Sequence, residues 1–212
     1  MFLHKIDDEL ALKLVEPQDA EAIFDLTEQS RHSLREWLPW LDVTRTVTDT
    51  QAFIQAARKG YGENRSMTAV ILFHRIRKER VKATKVQPAP ENLASPSSLN
   101  NETAGLISFN EINWANKTAQ IGYWLGSQYQ GRGIMTRAAS ALTDYAFREL
   151  GLHKVEIRAA VGNSKSRAIP ERLGFKQEGC IRSGEWLYDH YVDHVVYGVL
   201  DSEWAVNAPR EK

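Results

Sequence analysis

Tyr123-Trp124-Leu125-Gly126-Ser127-Gln128-Tyr129-Gln130-Gly131-Arg132-Gly133-Ile134-Met135-Thr136 is the stretch whose reading decides the fold. An apolar strand runs into a glycine-spaced turn, and the turn opens a helix. Ile134, Ala138, Ala141, Leu142, Tyr145 and Ala146 recur at helical spacing until Gly151 stops them. Gly131 and Gly133 lack a Cβ, so backbone here can approach a ligand closely. The first N–H groups of the helix have no intrahelical partners and sit at the positive end of its dipole. Strand, turn and helix start together suit a phosphorylated ligand. A Gly-x-Gly turn also serves plain packing, and the turn alone leaves both readings open. It is not a P-loop, because the Lys-Ser/Thr ending is missing. Nor is it the dinucleotide fingerprint, because Thr136 stands where the third glycine belongs.

Upstream, Leu10 to Val15 alternates as a strand, and Pro17 opens a helix that buries Ala20, Ile23, Phe24 and Leu26. Trp37-Leu38-Pro39-Trp40 follows, as either a loop folding its indoles inward or an aromatic lip on a substrate groove. Thr48 or Asp49 is expected to cap a second helix with Ala52, Phe53, Ala56 and Ala57 on its buried face. Met67–Phe73 and Thr103–Asn110 read as strands. The connection between them, about 74–102, is far too long for a hairpin, basic at first and then rich in Pro and Ser. It reads as a solvated insertion, or as a basic arm for RNA or an acidic partner.

Downstream, Lys154–Ala160 is a strand, and Asn163 or Ser164 caps a helix that Gly174 ends. A short strand from Phe175 is expected to turn at Gly184. His190–Leu200 is the last strand, and 201–212 a frayed tail. The order is strand, two helices, three strands, helix, strand, helix, two strands. That is a mixed α/β arrangement in a single domain over 1–212 with one main sheet.

The totals narrow the function classes. With 27 basic and 27 acidic residues the formal net charge is zero, giving no bulk electrostatic case for nucleic acid or an anionic membrane. One cysteine, Cys180, excludes an internal disulfide and a Cys-rich metal site. No run approaches the roughly 18 apolar residues of a spanning helix, and residues 1–7 do not form a signal peptide. A cytoplasmic location is the resulting expectation. His190 and His194 are not read as metal ligands: four residues of strand span about 13 Å, too far to share one ion at about 2 Å.

Gln130-Gly131-Arg132-Gly133, Asn163-x-x-Ser166 and Leu173-Gly174-Phe175, in this order of elements, resemble the GNAT acetyltransferase superfamily. The resemblance spans about residues 8–202 apart from the insertion. Trp37-Leu38-Pro39-Trp40, Ile121-Gly122-Tyr123-Trp124-Leu125, Gly133-Ile134-Met135-Thr136, Glu178-Gly179-Cys180, Glu185 and Asp189-His190-Tyr191-x-Asp193 make it most similar to the RimJ/RimL-type ribosomal-protein N-acetyltransferases. The resemblance implies the GNAT fold, a mostly antiparallel central sheet flanked by helices. It also implies acetyl-CoA as co-substrate and no metal. Gln130 and Gly131 would open a cofactor-binding cradle in which the N–H groups of Arg132, Gly133, Ile134, Met135 and Thr136 hold the diphosphate. Met135 departs from the small residue the family prefers. Trp124 and Leu125 would pair with the pantetheine arm, the Leu125 N–H facing the thioester oxygen, and Asn163 would cap its helix or hold that arm.

Acetyl transfer needs a neutral amine, a donor for the tetrahedral oxyanion and a hydrogen bond or proton for the leaving thiolate. By the resemblance Glu185 is the base, directly or through water, with Glu111 a weaker competitor. Ser166 stands at the sulfur as a hydrogen-bond donor or an acid. Many GNAT enzymes use a tyrosine near the Leu-Gly-Phe segment, but none lies in 163–175 here. Pro170, inside the expected helix, cannot bond the Ser166 carbonyl, which leaves a bend or a freed carbonyl near the sulfur. Trp37 and Trp40 are candidates for the acceptor. That acceptor is expected to be a protein N-terminus, with ribosomal proteins as targets. The alternatives are a small amine (polyamine, antibiotic or amino acid derivative) or a non-catalytic acetyl-CoA-binding role on the ribosome. Pairing into a homodimer is common in the family.

Overall fold

The computed structural model describes residues 3–74 and 101–207. The basic and Pro/Ser-rich stretch at 75–100, and with it the reading of an RNA-binding arm, lies outside the described residues, as do 208–212. Its two flanks, His74 and Asn101, are register partners.

Chain order is β1 (Leu3–Lys5), β2 (Leu10–Leu14), α1 (Ala20–Arg35), α2 (Val47–Gly62), β3 (Met67–His74), β4 (Asn101–Asn113), β5 (Thr118–Leu125), α3 (Ile134–Arg148), β6 (Lys154–Ala160), α4 (Ser164–Arg172), β7 (Lys176–Leu187), β8 (His190–Leu200) and α5 (Asp201–Asn207). The eight strands form one sheet in the order β1-β2-β3-β4-β5-β6-β8-β7. Every described pairing is antiparallel except β5 with β6. The expected sheet and helices are there, joined by a short β1 and by α5.

β3 shows why the sheet's central strands are apolar on both sides. Met67, Ala69, Ile71 and Phe73 enter a large core shared with Ile134, Ala138 and Leu142 of α3. Val70 enters a smaller core with Ile23 of α1 and Ile54 of α2. A strand with helices on both faces reads as a continuous hydrophobic run. α1 buries Ile23, Leu26, Thr27, Ser30 and Leu34; Phe24 is only half-buried.

Four local expectations change. α2 is capped by Thr46, whose side chain accepts from the Asp49 N–H while Asp49 reaches back to the Thr46 N–H, a reciprocal capping box. Its buried stripe is Thr50 and Ile54, with Val47 and Ala57 at the edge, whereas Ala52, Phe53 and Ala56 face solvent. A threonine in the stripe hid the true period. Gly184 is not a turn: β7 runs through it to Leu187, and the shift of register between Ile181 and Glu185 makes it part of a bulge. Ser183, at φ 48, begins that bulge with its N–H on Asp193 Oδ1 at 2.8 Å. Residues 201–207 are not frayed. They form α5, anchored by Trp204, which sits against Phe147 and Phe175 and donates from Nε1 to Asp144 at 2.9 Å.

Candidate active site

β5 and β6 pair only as far as Ile121 and Ile157. Beyond that point β5 continues to Leu125 and β6 to Ala160, so the two parallel strands part and leave a notch in the middle of the sheet. The Gly126 N–H donates to Ala104 on β4. Successive strand N–H groups point to opposite edges, so the Leu125 N–H, one residue earlier, points into the notch. Gly105 keeps β4 close on the other side: a Cβ there would lie 2.2 Å from the Trp124 carbonyl oxygen.

The notch opens into a cavity of about 950 Å³. At its floor, Gly131 and Gly133 adopt φ of 73° and 71°, the left-handed region that glycine occupies without strain. A Cβ at either position would meet nothing within 4 Å, so both present bare backbone to open space. Gly133 is the N-cap of α3 and offers no side-chain cap. The first helical N–H groups, from Ile134, Met135 and Thr136, are therefore oriented outward with the dipole behind them. Met135 is 4 % exposed; its bulk goes into the core and leaves the turn clear. Arg132 lies over the Phe73 ring at 4.4 Å. Gln130 touches Lys165 at 3.4 Å, linking the turn to the start of α4. The arrangement can hold a diphosphate on backbone amides.

α4 forms the far wall. Asn163 caps it by accepting the Ser166 N–H at 3.0 Å. Tyr197 on β8 fixes it from beneath, donating to Glu171 at 2.6 Å and accepting from Arg167 Nε at 2.9 Å. Ser166 faces the cavity. Its neighbour is Tyr123 of β5, which donates to the Ser166 carbonyl at 3.0 Å and lies 3.4 Å from the Ser166 hydroxyl. Burial pushes the Tyr123 hydroxyl well above its ordinary range. Tyr123 is the site residue that sequence reasoning passed over; Pro170 was the signal, since the carbonyl it leaves open had to find another donor.

Trp37 lines this cavity and also a second one of about 490 Å³, whose walls include Glu36, Leu187, Tyr188, His190 and Val192. Trp40 lines neither and packs against Trp124 with ring centroids 6.0 Å apart. Tyr188, at the β7–β8 turn with φ 58, donates to the Leu38 carbonyl and carries the Arg35 guanidinium 3.9 Å above its ring. The hairpin tip and the tryptophan lip are thereby joined.

Glu185 is not on the wall of the larger cavity. It sits opposite Val192 on β8, its carboxylate 3.3 Å from His194 Nε2. Cross-strand partners share a sheet face, and Val192, Leu187 and His190 all line the smaller cavity. Glu185 thus shares that sheet face, although its side chain lines neither cavity. Glu111 lies at a bulge of β4, paired with Gln120. Among the described residues no cluster of His, Cys, Asp and Glu is arranged to hold a metal, and no helix is long and apolar enough to cross a membrane.

Comparison with known proteins adds to this geometry. The model of the acetyltransferase (GNAT) domain matches residues 9–176. YdaF of Bacillus subtilis (strain 168), provisionally named a ribosomal N-acetyltransferase, is 33% identical over 205 residues, covering 96% of this chain and 98% of its own. The ribosomal-protein-serine acetyltransferase of Escherichia coli (strain K12) is 28% identical over 94% of this chain and 97% of its own. The structure of RimL, a ribosomal L7/L12 alpha-N-protein acetyltransferase, in complex with coenzyme A superposes with a TM-score of 0.79 at 25% identity, covering 94% of this chain and 98% of that one. The parted strands, the bare glycine turn and these matches together identify the chain as a member of the GNAT acetyltransferase family, an acetyl-CoA-dependent acetyltransferase of the ribosomal-protein type.

Proposed function

We propose that this enzyme acetylates the N-terminal α-amine of a protein, with a ribosomal protein as the acceptor. The observation that carries the reading is the pair of cavities meeting at Trp37, one lined by the glycine turn and Ser166 and the other by Val192, the cross-strand partner of Glu185. Acetyl-CoA enters the larger, its diphosphate on the amides from Gly131 to Thr136 and its pantetheine arm along Trp124 and Leu125. The acceptor amine enters through the smaller. Glu185 takes the amine proton, directly or through water, and the amine nitrogen attacks the thioester carbon. Charge on the oxygen meets the Leu125 N–H, a placed donor worth about 3 kcal/mol in such reactions. The carbon–sulfur bond then breaks with its electron pair on sulfur. Ser166 donates a hydrogen bond to that thiolate, which takes its proton from solvent, giving amide and free coenzyme A. Such an acceptor belongs to the cytoplasm.

The test is mass spectrometry of a ribosomal-protein fraction incubated with labelled acetyl-CoA. Label on an N-terminal α-amine, lost with Glu185→Gln, is the expected result. Label confined to spermidine or other small amines in the same mixture would replace this acceptor.

A further inference from the structure

Tyr123 belongs to none of the roles assigned above, yet it meets both the carbonyl and the hydroxyl of Ser166. Pro170 lies within α4, four residues after Ser166. Without an N–H it cannot close the usual bond to the Ser166 carbonyl. A partly buried carbonyl left in that state costs about 1–3 kcal/mol. Tyr123, arriving from a different element, supplies the missing donor at 3.0 Å. A phenol has one proton. With that proton committed to the carbonyl, its oxygen is left as an acceptor toward the Ser166 hydroxyl, 3.4 Å away.

We propose that Tyr123 is a positioning residue for acetyl transfer: it replaces the helix donor that Pro170 lacks, fixes the Ser166 backbone, and parks the Ser166 hydroxyl proton until the thiolate forms. The two contacts divide the work by length. The 3.0 Å bond is of ordinary strength and holds the helix turn. The 3.4 Å contact is at the long limit of a hydrogen bond, so the serine hydroxyl swings away to sulfur at little cost. The buried phenol stays protonated and therefore stays a donor across the working pH range. Proline and tyrosine thus act as one device, in which the first opens a carbonyl and the second uses it to set a side chain at the cleft wall.

This rests on Ser166 as the donor to sulfur, and the variants separate the two ideas. Activity is followed as thiol release from acetyl-CoA with a peptide bearing a free N-terminal serine, and stability as Tm of the free protein. Tyr123→Phe is expected to lower kcat about tenfold while the KM for acetyl-CoA stays within twofold, and to lower Tm by about 2–12 °C. Adding Pro170→Ala returns an N–H to the Ser166 carbonyl, and the double variant is expected to recover Tm and at least half of the lost kcat on a logarithmic scale. In a Ser166→Ala background, Tyr123→Phe is expected to change kcat by less than twofold. A wild-type kcat in Tyr123→Phe beside an impaired Ser166→Ala would overturn the role of the tyrosine, as would no recovery of Tm and kcat with Pro170→Ala. A wild-type kcat in Ser166→Ala would remove the serine from the reaction and the proposal with it.

Discussion

Gly133→Ala separates two jobs of one glycine, and their sizes follow from the geometry. At φ 71 an alanine is strained, by about 1 kcal/mol. Nothing lies within 4 Å of the new Cβ, so no clash adds to that cost in the free enzyme. For a chain of this size the loss corresponds to a Tm lower by about 2–4 °C. Binding should suffer more. The Cβ projects into the space beside the first N–H groups of α3, where a diphosphate would lie, and displaces it from one charge-assisted hydrogen bond or two. At about 1.5–3 kcal/mol per bond to a charged group, and 1.4 kcal/mol per decade, the Kd for coenzyme A should rise about 10- to 100-fold or more. Gly151→Ala is the control: φ is 62 and the Cβ is again free, but the residue follows the far end of α3. It should show the same fall in Tm and an unchanged Kd. Isothermal titration calorimetry with coenzyme A, beside thermal melts, reads both. An unchanged Kd in Gly133→Ala, or an equal loss in Gly151→Ala, would refute the reasoning.

Other outcomes follow from contacts around the site. Tyr188→Phe removes the hydroxyl that holds the β7–β8 tip to the Leu38 carbonyl; the KM for an acceptor peptide should rise roughly 2- to 10-fold, with the coenzyme A Kd unmoved by calorimetry. Trp204→Ala should destabilise by about 3–5 kcal/mol in urea unfolding, and a cost below about 1 kcal/mol would mean that α5 is loosely held. Burial raises the Asp7 carboxyl, but the N–H groups of Glu9 and Leu10 and the Arg137 guanidinium prevail and hold it below its ordinary value. A lowered carboxylate stabilises the fold above its unfolded value of about 3.9 and loses that stabilisation as pH falls through the folded value. Asp7→Asn should therefore lower Tm at pH 7, and the gap to wild type should close in melts carried below about pH 4.

The parts of this site legible in the sequence are those made by neighbouring residues. Gly131 and Gly133 announce the turn because only a missing side chain suits that backbone, and Asn163 announces α4 because its side chain reaches just three residues along. What stayed hidden depends on pairing at a distance. Tyr123 meets Ser166 only because β5 and β6 run parallel and then part, which no local pattern encodes. The two cavities meet at Trp37 only because the Tyr188 turn closes on the lip from 150 residues away. The long β7 was concealed by Gly184, since a glycine in a bulge and a glycine in a turn look alike in one dimension. α5 was concealed because Trp204, in a polar segment, takes its order from Phe147 and Phe175.

The measurement closest to the central claim is a crystal structure of the enzyme with coenzyme A. The diphosphate should lie within about 3 Å of the N–H groups at the start of α3, the pantetheine arm along the free edge of β5, and the sulfur beside the Ser166 hydroxyl. Coenzyme A bound elsewhere, or a sulfur far from both Ser166 and the Leu125 N–H, would contradict the account.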